Sequence, residues 1–283
     1  MNLYTEPWWE LFGYEFMREA LVVGVVVAAM AAVLSCFLIL KGWSLMGDAV
    51  SHAVLPGIVL ASMLGLPLAV GAFVAGLGCA VASGFVKRHS RLKEDTVLGV
   101  IFTGMFGLGL VLYSKAPTVL HLDHILFGNI LGVSRAQVWQ TSLIGVGVLS
   151  VVLARRRDLL LLCFDERYAR ALALPATALH YLLLSVLALV IVVSLQAVGL
   201  LLVVAMLITP GATARLWTDS FDWMLVVAVV VAVVSSVSGI FISYYVSGST
   251  AACVVLVQAA IFLLSLMGSR WRARRFRGAR RVP

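Results

Sequence analysis

The sequence predicts an all-α, polytopic membrane fold of eight or nine spanning helices, and three observations carry that prediction. Of 283 residues, 62% are apolar and 12% charged, against about a quarter charged in soluble domains; the mean hydropathy is +1.07. Apolar runs recur at about 16–40, 43–64, 67–86, 95–114, 136–154, 177–195, 197–216, 222–245 and 249–268, each near the roughly 20 residues that cross a bilayer as a helix. The runs are continuously apolar and about twice a barrel strand in length, so helices, which satisfy their own backbone groups in lipid, are expected rather than a barrel. Together they leave no room within these residues for a soluble catalytic domain.

Taken in order, residues 1–15 set Glu6, Glu10 and Glu15 among Trp8, Trp9, Phe12 and Tyr14. They lack the basic start of a signal peptide and read as an interfacial aromatic segment. Residues 16–268 form the membrane domain. Gly71, Gly76, Gly78, Gly104, Gly107, Gly109 and Pro210 lie inside its runs, where they allow close helix approach or local breaks. The segment 117–133, PTVLHLDHILFGNILGV, is too apolar for a solvated loop and too short to cross, which predicts a re-entrant or interfacial helix. The segment 164–174, FDERYARALAL, predicts a short amphipathic helix whose Asp165 and Glu166 favour the positive end of its dipole. Its Phe164, Asp165, Glu166, Arg167, Tyr168 and Arg170 suit either docking onto another protein or lying on the membrane surface. Residues 269–283 form a basic tail.

The net charge of +8 does not imply a nucleic-acid partner, because the basic residues cluster at 87–93, 155–157 and 270–281, just beyond apolar runs. They orient the chain. With the amino terminus outside and the carboxyl terminus cytoplasmic, every Lys and Arg except Arg18, Lys115 and Arg135 falls inside, as the positive-inside rule requires. Cys36, Cys79, Cys163 and Cys253 stand far apart without a CxxC pair and read as packing residues.

Asp48 is the acid that falls within the first third of a span, and an intramembrane carboxylate is a functional hypothesis by default. His52 follows at i+4, on the same helical face, so the two present an oxygen and an imidazole nitrogen to one point. This is a half-site for a divalent ion, and its donor set suits manganese(II), iron(II) or zinc(II) better than copper(I). Pairing with a copy or close relative about a two-fold axis would double two ligands to four. A structural Asp–His hydrogen bond and a proton relay are the alternatives. Pro56 removes the donor that the His52 carbonyl would receive. His121, Asp123 and His124 form a second oxygen-and-nitrogen cluster, either an outer way-station for the metal or a solvated loop. His89 and His180 attract no role. The chain holds no GxxxxGK[ST], HExxH or GxSxG, so any ATP hydrolysis must occur on another chain and the usual membrane proteases lack their reacting groups.

These residues resemble the signature of the manganese, zinc and iron ABC transporter permeases, with the wording closest to the manganese and iron branch. The likeness is carried by GWSLMGDAVSHAVLPGIVL from Gly42, HILFGNILGVS from His124, FDERYARALAL from Phe164 and VGLLLVVAMLITPGATARL from Val198, in that family's order over about 16–268. Its most specific element is GDAVSHAVLPG, Gly47 to Gly57.

The resemblance implies a transport subunit rather than an enzyme, sited in a bacterial inner membrane. Its implied partners are a second permease, identical or paralogous, two cytoplasmic ATPases and an extracytoplasmic metal-binding protein. It implies that Asp48 and His52 line the metal path and that the 164–174 segment is the coupling helix set against the ATPase. No permanent cofactor is implied, only the transported ion and ATP on the partner. The seven arginines after the last span depart from the usual pattern; they hold anionic lipid or fix topology. The rival functions are a proton-coupled secondary transporter relaying protons through Asp48 and His52, against which no inverted repeat is apparent, and an intramembrane enzyme, whose third catalytic group is not visible.

Overall fold

The computed structural model describes residues 10–115, 128 and 130–279. Twelve α-helices follow one another among the described residues: α1 Glu15–Lys41, α2 Met46–Ala53, α3 Leu55–Met63, α4 Leu68–His89, α5 Glu94–Lys115, α6 Arg135–Ala154, α7 Arg156–Phe164, α8 Glu166–Ala171, α9 Ala176–Val198, α10 Leu200–Trp217, α11 Phe221–Val246 and α12 Thr250–Ala279. With α2 and α3 counted as one span, nine stretches among the described residues are long and apolar enough to cross a membrane. They coincide with the nine apolar runs.

The 43–64 run crosses as one span interrupted at Val54, where Pro56 has no N–H to give to the His52 carbonyl, as the sequence anticipates. Two departures from the sequence reading have local causes. The 164–174 helix is shorter than expected. Phe164 ends α7 instead of starting the amphipathic helix, and Asp165 adopts an extended backbone (φ −150°, ψ 102°) before α8 begins at Glu166. Ala173 then turns with φ 57°, stopping α8 ahead of Pro175. Finally, α12 continues for 30 residues, through part of the basic tail. The expected re-entrant helix lies largely outside the described residues, with Ile130–Gly132 forming a single 3-10 turn.

Contacts between helix ends divide them into two sets. At one end Arg135 pairs with Glu15 and, at 3.3 Å, with Glu19, Phe12 packs edge-on against Phe241, and Gly128 lies against Val198 and Gly199. At the other end Lys41 meets Leu162 and Glu166, Arg156 pairs with Asp222 at 3.1 Å, and Gly268 approaches Trp217. The crossings whose ends these contacts place therefore alternate in direction.

Helices α1 and α9 form the centre and are mostly buried, whereas α5, α6 and α12 expose most of their length. Lipid tails are as apolar as the side chains, so close packing rather than hydrophobic exclusion holds such helices together. Gly57 of α3 and Gly71 of α4 provide the tightest approach: a Cβ on either would stand 2.1 or 2.2 Å from the other's carbonyl oxygen. Gly109 of α5 lets that helix reach the Pro56 break, where a Cβ would stand 2.9 Å from the proline nitrogen. Among the described residues Gly78, Gly104 and Gly107 meet nothing within 4 Å, so no close approach of the kind expected of them is made there.

Helix α6 starts on a reciprocal cap. The Gln137 N–H donates to Ser134 Oγ at 3.4 Å, and the Ser134 N–H donates to Gln137 Oε1 at 3.0 Å. Ser134→Ala removes half of this box and is expected to cost about 1 kcal/mol, read as a fall of roughly 2–4 °C in the thermal midpoint of the detergent-solubilised protein.

Candidate metal site and docking helix

The turn that delivers Asp48 is built from its sequence. Gly42 adopts a left-handed backbone (φ 77°) and ends α1, and the Trp43 N–H donates to the Leu38 carbonyl at 2.8 Å, closing a Schellman turn. The Trp43 carbonyl then accepts from the Met46 N–H at 3.0 Å as α2 starts. Asp48 thus sits in the first turn of α2, where the helix dipole favours a carboxylate, and His52 in the last.

Asp48 Oδ1 and His52 Nε2 lie 3.3 Å apart, with side chains 35% and 27% exposed. Ala49, Val50 and Ala53 turn the opposite face of α2 into the core. On its open side the His52 ring meets Phe106 edge-on, with centroids 5.4 Å apart, and lies near Phe102 at 6.1 Å. The pair therefore occupies a crevice between α2 and α5, neither sealed in the core nor fully exposed on the outer face. Its 3.3 Å contact is also what a structural Asp–His bond requires, but both side chains remain partly exposed. Among the described residues no group of three or more His, Cys, Asp or Glu side chains is placed to hold a metal. His121, Asp123 and His124 lie outside the described residues. His89 Nδ1 contacts its own helix at the Phe85 carbonyl, 2.9 Å away.

At the opposite end from Glu15, α8 is held by its cap: Asp165 Oδ1 accepts from the Arg167 and Tyr168 N–H groups at 2.8 and 3.1 Å. Ala169 is fully buried and anchors the helix, while Phe164, Tyr168 and Leu172, spaced four residues apart, stand exposed with Arg167 and Arg170. Glu166 pairs with Arg170 one turn on. Partial burial alone pushes the Glu166 carboxyl up, but the Arg170 hydrogen bond and the charges of Lys41, Arg170 and His180 outweigh it and hold the group below its ordinary 4.5. Because the folded-state value is lowered, the stabilisation is fully present above the unfolded value and disappears only as pH falls through the lower one. Burial, against a smaller opposing pull from Lys41, raises the neighbouring Cys163 thiol to about 11, so it is no thiolate ligand at neutral pH. All four cysteines are free.

Sequence reasoning missed Lys41 and Ser35. Lys41 read only as a topology marker, yet its Nζ donates to the Leu162 carbonyl at 3.1 Å and lies 3.8 Å from Glu166 Oε2. Ser35 Oγ donates to the Ile208 carbonyl at 3.2 Å and accepts from the Gly211 N–H at 3.0 Å, bracing α10 on either side of Pro210. A serine in an apolar span was the available signal for the second; its partner, far along the chain, had none.

Known proteins share this fold. The chain is 54% identical over 266 residues, 94% of its length and 88% of the relative's, to the chelated iron transport system membrane protein YfeD of Yersinia pestis. It is 49% identical over 267 residues, 93% of its length and 87% of the relative's, to the manganese transport system membrane protein MntB of Synechocystis. The solved structure of PsaBC from Streptococcus pneumoniae in complex with Fab superposes with a TM-score of 0.82 at 40% identity, over 90% of this chain and 92% of that one. The profile of the ABC 3 transport family matches residues 13–269, and with the nine-span bundle this makes the chain a membrane permease belonging to the ABC 3 transport family.

Proposed function

We propose that this permease carries manganese(II) or iron(II) inward across a bacterial cytoplasmic membrane, driven by ATP hydrolysed on separate cytoplasmic chains. The observation that carries the reading is the Asp48–His52 pair, open on one side in the α2–α5 crevice of a family permease. Manganese and chelated iron appear in the names of the relatives YfeD and MntB, and an oxygen with an imidazole suits either ion. A second permease, identical or paralogous, brings its own pair across a two-fold seam. Two donors from each chain hold the ion loosely enough to release it, since a closed high-affinity cage would trap it.

In the cycle this implies, an extracytoplasmic binding protein docks on the Glu15 end and hands over its ion, with His121, Asp123 and His124 as a way-station. The α8 surface of Phe164, Tyr168 and Leu172, with Asp165, Glu166, Arg167 and Arg170 shaping it, sits against the ATPase. ATP binding and hydrolysis, felt through α8, alternate access to Asp48 and His52.

The test is metal uptake into proteoliposomes holding the assembled complex. Uptake of manganese(II) or iron(II) that needs ATP and the binding protein supports the reading. Uptake driven by a proton gradient without ATP would overturn it in favour of a proton-coupled carrier. The docking role has its own check. Asp165→Ala removes a cap worth about 1 kcal/mol from a two-turn helix that has little stability of its own, so the variant is expected to retain less ATPase in co-purification while its spans fold normally.

A further inference from the structure

Lys41 is the last residue of α1, and its ammonium is drawn inward rather than out to solvent, with the side chain only 15% exposed. It donates to the Leu162 carbonyl near the end of α7 at 3.1 Å and stands 3.8 Å from Glu166 in the first turn of α8. Its Nζ also lies 5.8 Å from the centroid of the Trp43 ring. Trp43 is buried and packs edge-on against His180 of α9 at 5.2 Å. One side chain thus ties the end of α7 and the start of α8 to the end of a spanning helix.

The connection does not stop there. Between residues 41 and 48 the chain has little slack. Gly42 and Trp43 are fixed by the Schellman turn, and Met46 by its bond to the Trp43 carbonyl. Gly47 packs on Leu207 of α10, a Cβ there standing 3.0 Å from the leucine side chain. Asp48 follows directly. A displacement of α8 that keeps the Lys41 contacts therefore moves the turn that sets the first residues of α2, and the carboxylate with them. A slack loop would absorb such a displacement; this turn, hydrogen-bonded and anchored by the buried Trp43 and Met46, passes it on.

We infer that Lys41 is the positioning residue through which α8 acts on the Asp48–His52 pair, its contacts with Glu166 and Leu162 forming the link between the docking helix and the metal-bearing helix. The inference rests on the reading of α8 as the ATPase-docking element. Because the Lys41 contacts run to the Leu162 carbonyl and to Glu166 while Phe164, Tyr168 and Leu172 stand exposed, its removal is expected to leave docking intact and to disconnect its consequence.

The experiment compares the complete complex, parent and variants, for ATP-dependent manganese(II) uptake in proteoliposomes, basal ATP hydrolysis and retained ATPase. Lys41→Met is expected to lower uptake by about tenfold, within the range of ordinary coupling free energies, with basal hydrolysis and retained ATPase close to the parent's. Lys41→Arg, which keeps the charge and the donor, is expected to restore most of the uptake. Glu166→Gln is expected to lower uptake as well, and the Lys41→Met/Glu166→Gln double variant no further than the worse single one, as two ends of one contact require. Parent-level uptake by Lys41→Met would overturn the link alone. So would loss of ATPase from the Lys41→Met complex, failure of Lys41→Arg to restore, or additive losses. A parent complex without ATP-dependent uptake would overturn the proposed function, and this link with it.

Discussion

Asp48→Ala and His52→Ala are each expected to abolish metal uptake while leaving a complex of normal size and ATPase content. Removing even an outer-shell partner of a metal site typically costs 10–100-fold in affinity or activity, so deleting one of the two proposed donors should lower uptake by at least about 100-fold. The informative variant is Asp48→Asn. It keeps the shape of the side chain and a hydrogen-bonding group for His52 across the present 3.3 Å contact, but loses the anion. If the pair exists only to satisfy two polar groups, Asp48→Asn transports normally. If the carboxylate meets a dication, uptake is lost although folding is not. Ser51→Ala serves as the control, since Ser51 is buried on the core side and donates to its own helix, at the Gly47 carbonyl 2.7 Å away. Uptake by reconstituted vesicles, scored beside size-exclusion profiles, separates these outcomes.

The largest loss of stability is expected at the α3–α4 crossing. An alanine at Gly57 or Gly71 places its Cβ 2.1 or 2.2 Å from a backbone carbonyl oxygen of the neighbouring helix, and a backbone cannot rotate away as a flexible side chain can. The helices must separate, giving up packing along their whole contact. Overpacking in a core costs typically 1–3 kcal/mol and more where nothing yields, so about 3 kcal/mol or above is expected for either variant. At roughly 2–4 °C per kcal/mol in a chain of this size, the thermal midpoint in detergent should fall by about 10 °C. Gly78→Ala, where a Cβ meets nothing within 4 Å, should be neutral. A Gly57→Ala protein as stable as the parent would show that α3 and α4 do not cross this closely. Because α3 continues from α2 across the Val54 break, the same substitution is also expected to disturb His52 and reduce uptake.

Both predictions concern residues that the sequence marked, but it marked them unequally. Asp48 and His52 were legible as a pair because helical periodicity alone puts i and i+4 on one face, and an acid in an apolar run stands out. The Asp165 cap was legible as an acid at a helix start, although the sequence reading began that helix one or two residues early and ran it past Ala171. Gly71 was legible as a residue that permits close approach, but not its mate: nothing in either local sequence says that Gly57 is what it approaches. Gly104 and Gly107, which look the same on paper, approach nothing among the described residues.

What the sequence determined by itself follows from physics that acts locally. The nine crossings come from the length of each apolar run against the thickness of a bilayer, the break at Val54 from a missing proline donor, and the half-site from one helical turn. Only the tertiary structure decided which ends meet: Lys41 on Glu166, Ser35 on Gly211, Gly57 on Gly71, His52 against Phe106. Those contacts join residues from well apart to more than a hundred positions distant in the chain. In lipid, where no hydrophobic force selects one apolar helix over another, the fit of small residues and a few polar groups chooses the partners, and that fit exists only once the helices are side by side.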